Sequence, residues 1–283
     1  MKAPSFAYAK PRSLEEVFVL LRRTDDAKLL AGGQTLLATL NMRLSSPAVL
    51  VDITGVPGLA GIAVRGNVLR IGALTRHREI ERSREVAEHA PLLAQAAPHI
   101  AHVAIRNAGT IGGSLAHADP AAEWPACCLA LDADLVIASR AGERRVKARD
   151  FFRGLFETAL GAGELIAAVE VPLLGAGYRS AFLELARRHG DYAMVGVAAT
   201  ARPAGGALAD LRVAFLGAGA TPILARHAMA AAEGKKGSPG AIAAAQAALE
   251  KDLAPIGDLN ASPATKLHLA RVLCGRALAQ LAA

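Results

Sequence analysis

Aromatic residues make up only 4% of this 283-residue chain, and no run of lysine and arginine alternates with them. A nucleic-acid platform needs both stacking rings and cationic side chains that track the backbone. The formal charge of +7 therefore does not point to nucleic acid. It suits an anionic ligand and a docking face for other chains. Three cysteines cannot complete a disulfide framework, and neighbours Cys127 and Cys128 are badly placed to bond each other. Both stand in an apolar helix-like run, and Cys274 lies among Leu273 and Ala277. All three read as small buried hydrophobes. No set of four exists for an iron–sulfur cluster, and histidines such as His77, His89 and His99 lack metal-ligand spacing. Although 53% of residues are hydrophobic, every apolar stretch breaks well before the roughly eighteen residues that span a bilayer. The start, Met1-Lys2-Ala3-Pro4-Ser5-Phe6, has no signal-peptide apolar core, so cytoplasm is the expected compartment. No Gly-x-Gly-x-x-Gly stands at the first strand–helix turn, so a Rossmann dinucleotide site is not supported. No acid–base dyad or nucleophile is evident, and no catalytic residue is assigned.

What is present are two glycine-rich loops, Ala31-Gly32-Gly33-Gln34-Thr35 and Thr110-Ile111-Gly112-Gly113-Ser114. Each follows an apolar run and sets paired glycines beside a hydroxyl. Glycine allows positive φ and close approach of backbone to a ligand, and successive N–H groups in such turns form a nest for anions. Either loop alone could equally be a tight turn. Together they suggest two nests closing on one diphosphate.

Around the loops, Ser13-Leu14-Glu15-Glu16 fits a capping box opening a helix over 14–23, with Val17, Leu20 and Leu21 on one face. Strands are expected at 28–31 and 49–53, and a hairpin at 62–64 and 68–71. A helix over 35–41 would give the first loop the partial positive charge of a helix N-terminus. Helices follow at 76–82, 91–102 and 121–131, and strands at 135–138, 146–148 and 164–171. Pro172-Leu173-Leu174-Gly175-Ala176-Gly177 breaks the pattern. Beyond it come β segments at 178–187, 195–202 and 208–216, then helices at 224–233, 241–253 and 263–282. Sheet first and helices afterwards is an α+β arrangement.

The second loop extends into a longer signature, Ile105-Arg106-Asn107-Ala108-Gly109-Thr110-Ile111-Gly112-Gly113-Ser114-Leu115-Ala116-His117-Ala118-Asp119-Pro120-Ala121-Ala122-Glu123-Trp124-Pro125-Ala126. This resembles the FAD-binding medium subunit of molybdenum hydroxylases, the family of the carbon monoxide dehydrogenase and xanthine dehydrogenase flavoproteins. The first loop, continued through Leu36-Leu37-Ala38-Thr39-Leu40-Asn41-Met42-Arg43-Leu44, looks like that family's N-terminal FAD loop. The stretch Leu185-Ala186-Arg187-Arg188-His189-Gly190-Asp191-Tyr192-Ala193-Met194-Val195 resembles the start of its C-terminal domain. The motifs come in family order and cover essentially the whole chain.

The resemblance implies an α+β protein: a two-subdomain FAD-binding domain of the vanillyl-alcohol-oxidase (PCMH) type over residues 1–174, split near residue 55 into 1–55 and 56–174. A small C-terminal domain with an antiparallel three-stranded sheet and helices would occupy 175–283. FAD would lie extended between the subdomains. Ala31, Gly32, Gly33, Gln34 and Thr35 would form one diphosphate cradle, though Gln34 could equally be a surface side chain. Thr110, Ile111, Gly112, Gly113 and Ser114 would form the other. Glu123 occupies a position that is usually acidic and bonds the ribityl hydroxyls. Asp119 is a candidate for the same region, or else the cap of a helix beginning at Ala121. His117 would polarise the flavin or bond a carbonyl. Ile100 and Ile166 align with apolar positions lining the flavin. Tyr192 would cover one face of the isoalloxazine and gate the acceptor, or be a buried tyrosine at the sheet edge. Glu184 stands where several relatives carry lysine, so no flavin-tuning role transfers to it.

The function implied is electron transfer. A molybdopterin-containing large subunit would oxidise the substrate, and a small subunit with two 2Fe–2S clusters would pass electrons to FAD here. FAD would then reduce an external acceptor: NAD, a quinone, a cytochrome or oxygen. A dimer of heterotrimers is the expected assembly. Carbon monoxide, purines, aldehydes, N-heteroaromatics and acyl thioesters are all substrates of such complexes. The cluster-inserting 4-hydroxybenzoyl-CoA reductase branch is disfavoured by the cysteine count. A stand-alone flavin oxidoreductase and a flavin-free scaffold protein remain alternatives.

Overall fold

In a computed structural model that describes residues 2–283, the chain builds three main sheets in succession. The first unit comprises β1 (Ala7–Ala9), α1 (Leu14–Arg23), β2 (Ala27–Leu30), α2 (Leu36–Asn41) and β3 (Val49–Asp52). Its strands are parallel, in the order β1-β3-β2. Ser13 caps α1 by accepting from the Glu16 amide at 3.2 Å, and Val17 and Phe18 on its inner face are buried.

The second unit begins with the hairpin β4 (Ile62–Arg65) and β5 (Val68–Gly72). A helical layer follows: α3 (His77–Arg82), α4 (Arg84–His89), α5 (Pro91–Ala96), α6 (Val103–Arg106), α7 (Ile111–His117) and α8 (Glu123–Ala130). Then come β6 (Asp134–Ser139), β7 (Gly142–Lys147), α9 (Ala148–Phe151), the short hairpin β8 (Phe152–Gly154) and β9 (Glu157–Thr158), and finally β10 (Leu165–Pro172). The sheet runs β4-β5-β10-β6-β7, antiparallel throughout. Val51, Ile53, Val136, Ala138 and Leu165 share one apolar cluster, which binds the first unit to this sheet.

After the Pro172–Gly177 break, β11 (Arg179–Leu185), β12 (Val195–Ala204), β13 (Ala207–Leu216) and the two-residue edge strand β14 (Ile223–Leu224) form an antiparallel sheet. Helices α10 (Arg226–Ala232), α11 (Pro239–Asp252) and α12 (Pro263–Ala282) cover one face through Phe215, Leu249, Cys274 and Leu278. The other face packs on α8, every residue of which is buried. Arg212 donates to the Leu129 and Ala130 carbonyls, Thr200 Oγ1 to Ala130 as well, and the Gly217 amide to Pro120 at 2.7 Å. The C-terminal sheet thus holds α8 near both of its ends, which fixes its first residue, Glu123.

Several expectations need correction. The C-terminal sheet has four strands, not three, because Ile223–Leu224 pairs with β13. The expected helix over 91–102 ends at Ala96 and continues as a single 3₁₀ turn, Ala97–His99; Pro98 has no N–H to continue the α pattern. The helix expected from Ala121 starts at Glu123. The expected strand over 146–148 is the end of a six-residue edge strand that closes at Lys147. All three cysteines are buried and unbonded, as inert thiols should be. Among the described residues, no helix is long and apolar enough to cross a membrane, and no group of three or more His, Cys, Asp or Glu could hold a metal ion.

Candidate cofactor-binding cleft

Between the two N-terminal units lies a cleft of about 710 Å³, within the range of small-molecule and cofactor sites. Its walls include the first glycine loop, the start of α7, the 100–105 turn and the loop carrying Tyr192.

The first loop leaves β2 and enters α2. Gly33 takes φ +71°, where a side chain would be strained, and its carbonyl accepts from Leu37 to close the first turn of α2. Among the described residues, the amides of Gly32, Gly33, Gln34 and Thr35 have no protein acceptor. They form a row of unpaired donors beside the cleft. Gln34 is exposed and lines the cleft, and its Nε2 donates to the Gly32 carbonyl at 3.0 Å, bracing the turn. Gly32 touches the other loop. A Cβ there would stand 2.2 Å from the Ala108 carbonyl oxygen.

The second loop is built differently from the expected nest. It is the N-terminus of α7, and the amides from Ile111 to Ser114 are already engaged. Ile111 donates to Thr75 at 3.1 Å and Gly112 to Ala73 at 2.8 Å, while Gly113 donates to the capping Thr110 Oγ1 at 3.2 Å and Ser114 to the Thr110 carbonyl. Gly112 is glycine for packing, since a Cβ would meet that of Ala73 at 2.4 Å. The Ile111 side chain is fully buried in the core and lies outside the cleft. What this side offers a ligand is hydroxyl chemistry, from Thr110 and from Ser114, whose Oγ has no protein partner among the described residues.

Ala31, Ile100, Ile166, His117, Asp119, Glu123 and Tyr192 also line the cleft. Among the described residues, His117 bonds no carbonyl; its ring lies beside Phe156 with centroids 4.9 Å apart. Asp119 accepts from the Ala121 amide at 2.9 Å in a turn leading into α8, so it lines the cleft and shapes the turn together. Tyr192 is 68% exposed, on the loop between β11 and β12, and is not a core residue. Burial pushes Glu123 up to about 7; the Asp119 charge adds to the rise and a backbone hydrogen bond partly offsets it.

Two supports of the cleft were not foreseen as such. Arg106 is buried, and its guanidinium donates to Glu81 at 3.0 Å and to the carbonyls of Pro98, Ile100 and Ala101 at 3.3, 2.9 and 2.9 Å. That grip holds Ala101 at φ +44°, a costly conformation for a residue with Cβ, and presents Ile100 to the cleft. His77 accepts from Trp124 Nε1 at 2.9 Å, tying α3 to the residue after Glu123. Desolvation, aided by the Arg106 charge, depresses His77 to about 4, so it stays neutral. Arg106 falls within the quoted signature and His77 in a polar stretch before it, and neither carries a local signal of its role.

Two family models cover nearly the whole chain. The FAD binding domain in molybdopterin dehydrogenase matches residues 4–174, and the CO dehydrogenase flavoprotein C-terminal domain matches residues 180–281. The chain belongs to this family of FAD-binding medium subunits. Among curated relatives, the alpha subunit of the 6-hydroxypseudooxynicotine dehydrogenase complex of Paenarthrobacter nicotinovorans is 42% identical, over 99% of this chain and 95% of that subunit. The carbon monoxide dehydrogenase structure from Hydrogenophaga pseudoflava superposes with a TM-score of 0.97 at 37% identity, covering 99% of this chain and 98% of that one. Quinoline 2-oxidoreductase from Pseudomonas putida 86 gives 0.95 at 38% identity, covering 100% and 98%. Membership makes this chain an FAD-binding medium subunit of the molybdenum hydroxylase type, an oxidoreductase component, with the two-part FAD domain and α+β tail expected. The row of free amides fits an anionic diphosphate, and the hydroxyls and carboxyls farther along fit a polyol.

Proposed function

We propose that this chain carries electrons within a molybdenum hydroxylase complex, from the 2Fe–2S clusters of a small subunit to an external acceptor. The reading rests on one feature above all, the row of unpartnered amides from Gly32 to Thr35 facing the Thr110 and Ser114 hydroxyls across one cleft. FAD supplies the chemistry when bound, exchanging electrons singly or in pairs. The chain's residues bind, orient and shield it. The first-loop amides, with Ala31 alongside, take the diphosphate. Thr110 and Ser114 hydroxyls donate from the opposite side, where Gly113 leaves room for the approach and Gly112 lets the loop pack on Ala73; Ile111 contributes only by anchoring its loop in the core. Glu123, aided by Asp119, accepts from ribityl hydroxyls, ionised carboxylates being strong acceptors. Ile100 and Ile166 provide apolar walls, His117 closes one side, and the exposed Tyr192 ring covers one face of the flavin.

On this reading the chain divides into FAD-binding residues 1–174 and a C-terminal domain over 175–283. It docks with a molybdopterin-binding large subunit as well as the iron–sulfur small subunit, in a dimer of heterotrimers in the cytoplasm. The substrate is bound elsewhere. Relatives named for a hydroxylated nicotine derivative, for carbon monoxide and for quinoline share this chain's length and family, so selectivity belongs to the large subunit.

Co-expression with the two partner genes tests the proposal. The expected product is a three-component complex whose flavin absorbance bleaches when the large subunit turns over. A complex that turns over with its flavin permanently oxidised would refute the electron path. Tyr192→Ala should retain flavin content within about twofold while changing the rate of flavin reoxidation by added acceptors about fivefold or more, because a stacked ring screens one face. Unchanged stopped-flow traces with quinone and with oxygen would remove the shielding role.

A further inference from the structure

Glu184 sits next to the C-terminal end of β11, paired with Gly196 of β12. Side chains alternate along a strand. Phe182 belongs to the core beneath α8, while Leu183 packs against the C-terminal helices. Glu184 therefore shares the Phe182 face and points toward α8, where Glu123 begins. Its Oε2 is buried without any hydrogen-bond partner, although buried carboxyl oxygens are almost always satisfied. It does not line the cleft, whereas Glu123 does.

Among the described residues, no cation bonds Glu184 or offsets its burial. Toward the cleft are Asp119 and Tyr192, and along α8 is Cys127, whose thiol is pushed up by burial, then by Cys128, Glu123 and Glu184. On the helical side His99 stacks on Phe182, with centroids 5.2 Å apart, and burial and His189 lower its pKa. Two carboxylates so placed cannot both be ionised cheaply. Burial, then the Glu123 charge, pushes Glu184 up to about 8, above the value near 7 for Glu123.

We propose that Glu184 is a proton-holding positioning residue behind Glu123, so that the pair carries one negative charge when the cofactor binds. Glu184 keeps the proton, and Glu123 is the anion that accepts from the ligand's hydroxyls. This rests on the FAD reading of the cleft and adds to it a linkage between cofactor binding and pH. Hydroxyl donors lower the proton affinity of Glu123. A polyanion that seals the cleft from water raises that of Glu184. Binding then releases a proton below the working range and takes one up above it, so affinity falls on both sides.

The test is FAD titration of the cofactor-free full chain between pH 5.5 and 9.5, followed through quenching of flavin fluorescence. Wild type should give a bell-shaped affinity profile, its alkaline limb falling by up to about tenfold per pH unit, as one-proton linkage requires. Glu184→Gln keeps shape and neutrality but has no proton to lose, so it should lack the alkaline limb and retain the acid one. Glu123→Gln should lose the acid limb. Infrared spectra at pH 7 provide a readout independent of the flavin: the C=O band of protonated carboxylic acid should be clearly weaker in Glu184→Gln than in wild type, the remainder coming from Glu123. Coincident alkaline limbs in wild type and Glu184→Gln, or no difference in that band, would overturn the proposal. Failure of wild type to bind FAD at any pH would instead strike the cofactor reading, with the infrared result still deciding the protonation of Glu184.

Discussion

Gly32→Val should give a chain that folds but emerges from purification almost without FAD. The reason is a backbone contact and not the removal of a ligand-binding side chain. The Cβ introduced at Gly32 would lie 2.2 Å from the Ala108 carbonyl oxygen and 2.7 Å from the Gly109 Cα. Neither atom is the end of a flexible side chain, so one loop must move by about an ångström. Any such movement changes the spacing between the free amides of the first loop and the Thr110 and Ser114 hydroxyls opposite. Preorganised donors lose most of their advantage when displaced by that much. A loss of at least about thirtyfold in FAD affinity, roughly 2 kcal/mol, is expected. Flavin absorbance per chain and a titration of the stripped protein measure it, with circular dichroism confirming the fold. Gly175→Ala is the control, because a Cβ there meets nothing within 4 Å. Wild-type flavin content in Gly32→Val would mean that the two loops do not act on a common ligand.

The contrast between the two loops marks where the sequence stops being legible. Paired glycines beside a hydroxyl look alike on paper, yet one pair sits in an open turn and the other inside a helix. Each helical glycine costs roughly 1 kcal/mol relative to alanine, so 111–117 carries little helical signal of its own. Close packing against Ala73 and the Thr110 cap decide the outcome, and both are tertiary facts. Strand β7 was hidden for a related reason. Its sequence Gly-Glu-Arg-Arg-Val-Lys is mostly exposed, so no apolar alternation announces it. Arg144 pairs with Glu164 at 2.6 Å and Arg145 with Glu170 at 2.7 Å, which ties the edge strand across β6 to β10 and to the residue just before it. By contrast, helix 14–23 and the closing helices were readable because caps and apolar spacing are local: Ser13, Ser238 and Ser262 each accept from an amide three residues on. The family signature located the cleft. It could not say that Ile111 would face the core, or that the carboxyl of Glu184 would lie unpaired behind Glu123.

Arg106→Ala should be among the most destabilising single changes available in the FAD-binding part. The side chain is buried and serves four acceptors at once: Glu81 and the carbonyls of Pro98, Ile100 and Ala101. Glu81 would retain Arg78 at 2.9 Å, so its charge would not be wholly abandoned. The three carbonyls would have no replacement donor, and unsatisfied buried acceptors cost about 1–3 kcal/mol each before relaxation. Removing one member of a buried charged group typically costs about 3–5 kcal/mol in total, which for a chain this long is a fall of about 5–8 °C in Tm. Arg106→Lys should recover less than half, because an ammonium cannot fork toward a carboxylate and several carbonyls at once. Function should suffer beyond stability. Without the guanidinium, Ala101 has no reason to keep φ +44°, and the turn would relax and withdraw Ile100 from the cleft wall. The variant that survives purification should therefore bind FAD more weakly at temperatures well below its own melting point. If calorimetry showed Arg106→Ala within about 2 °C of wild type, the buried guanidinium could not be what holds this wall.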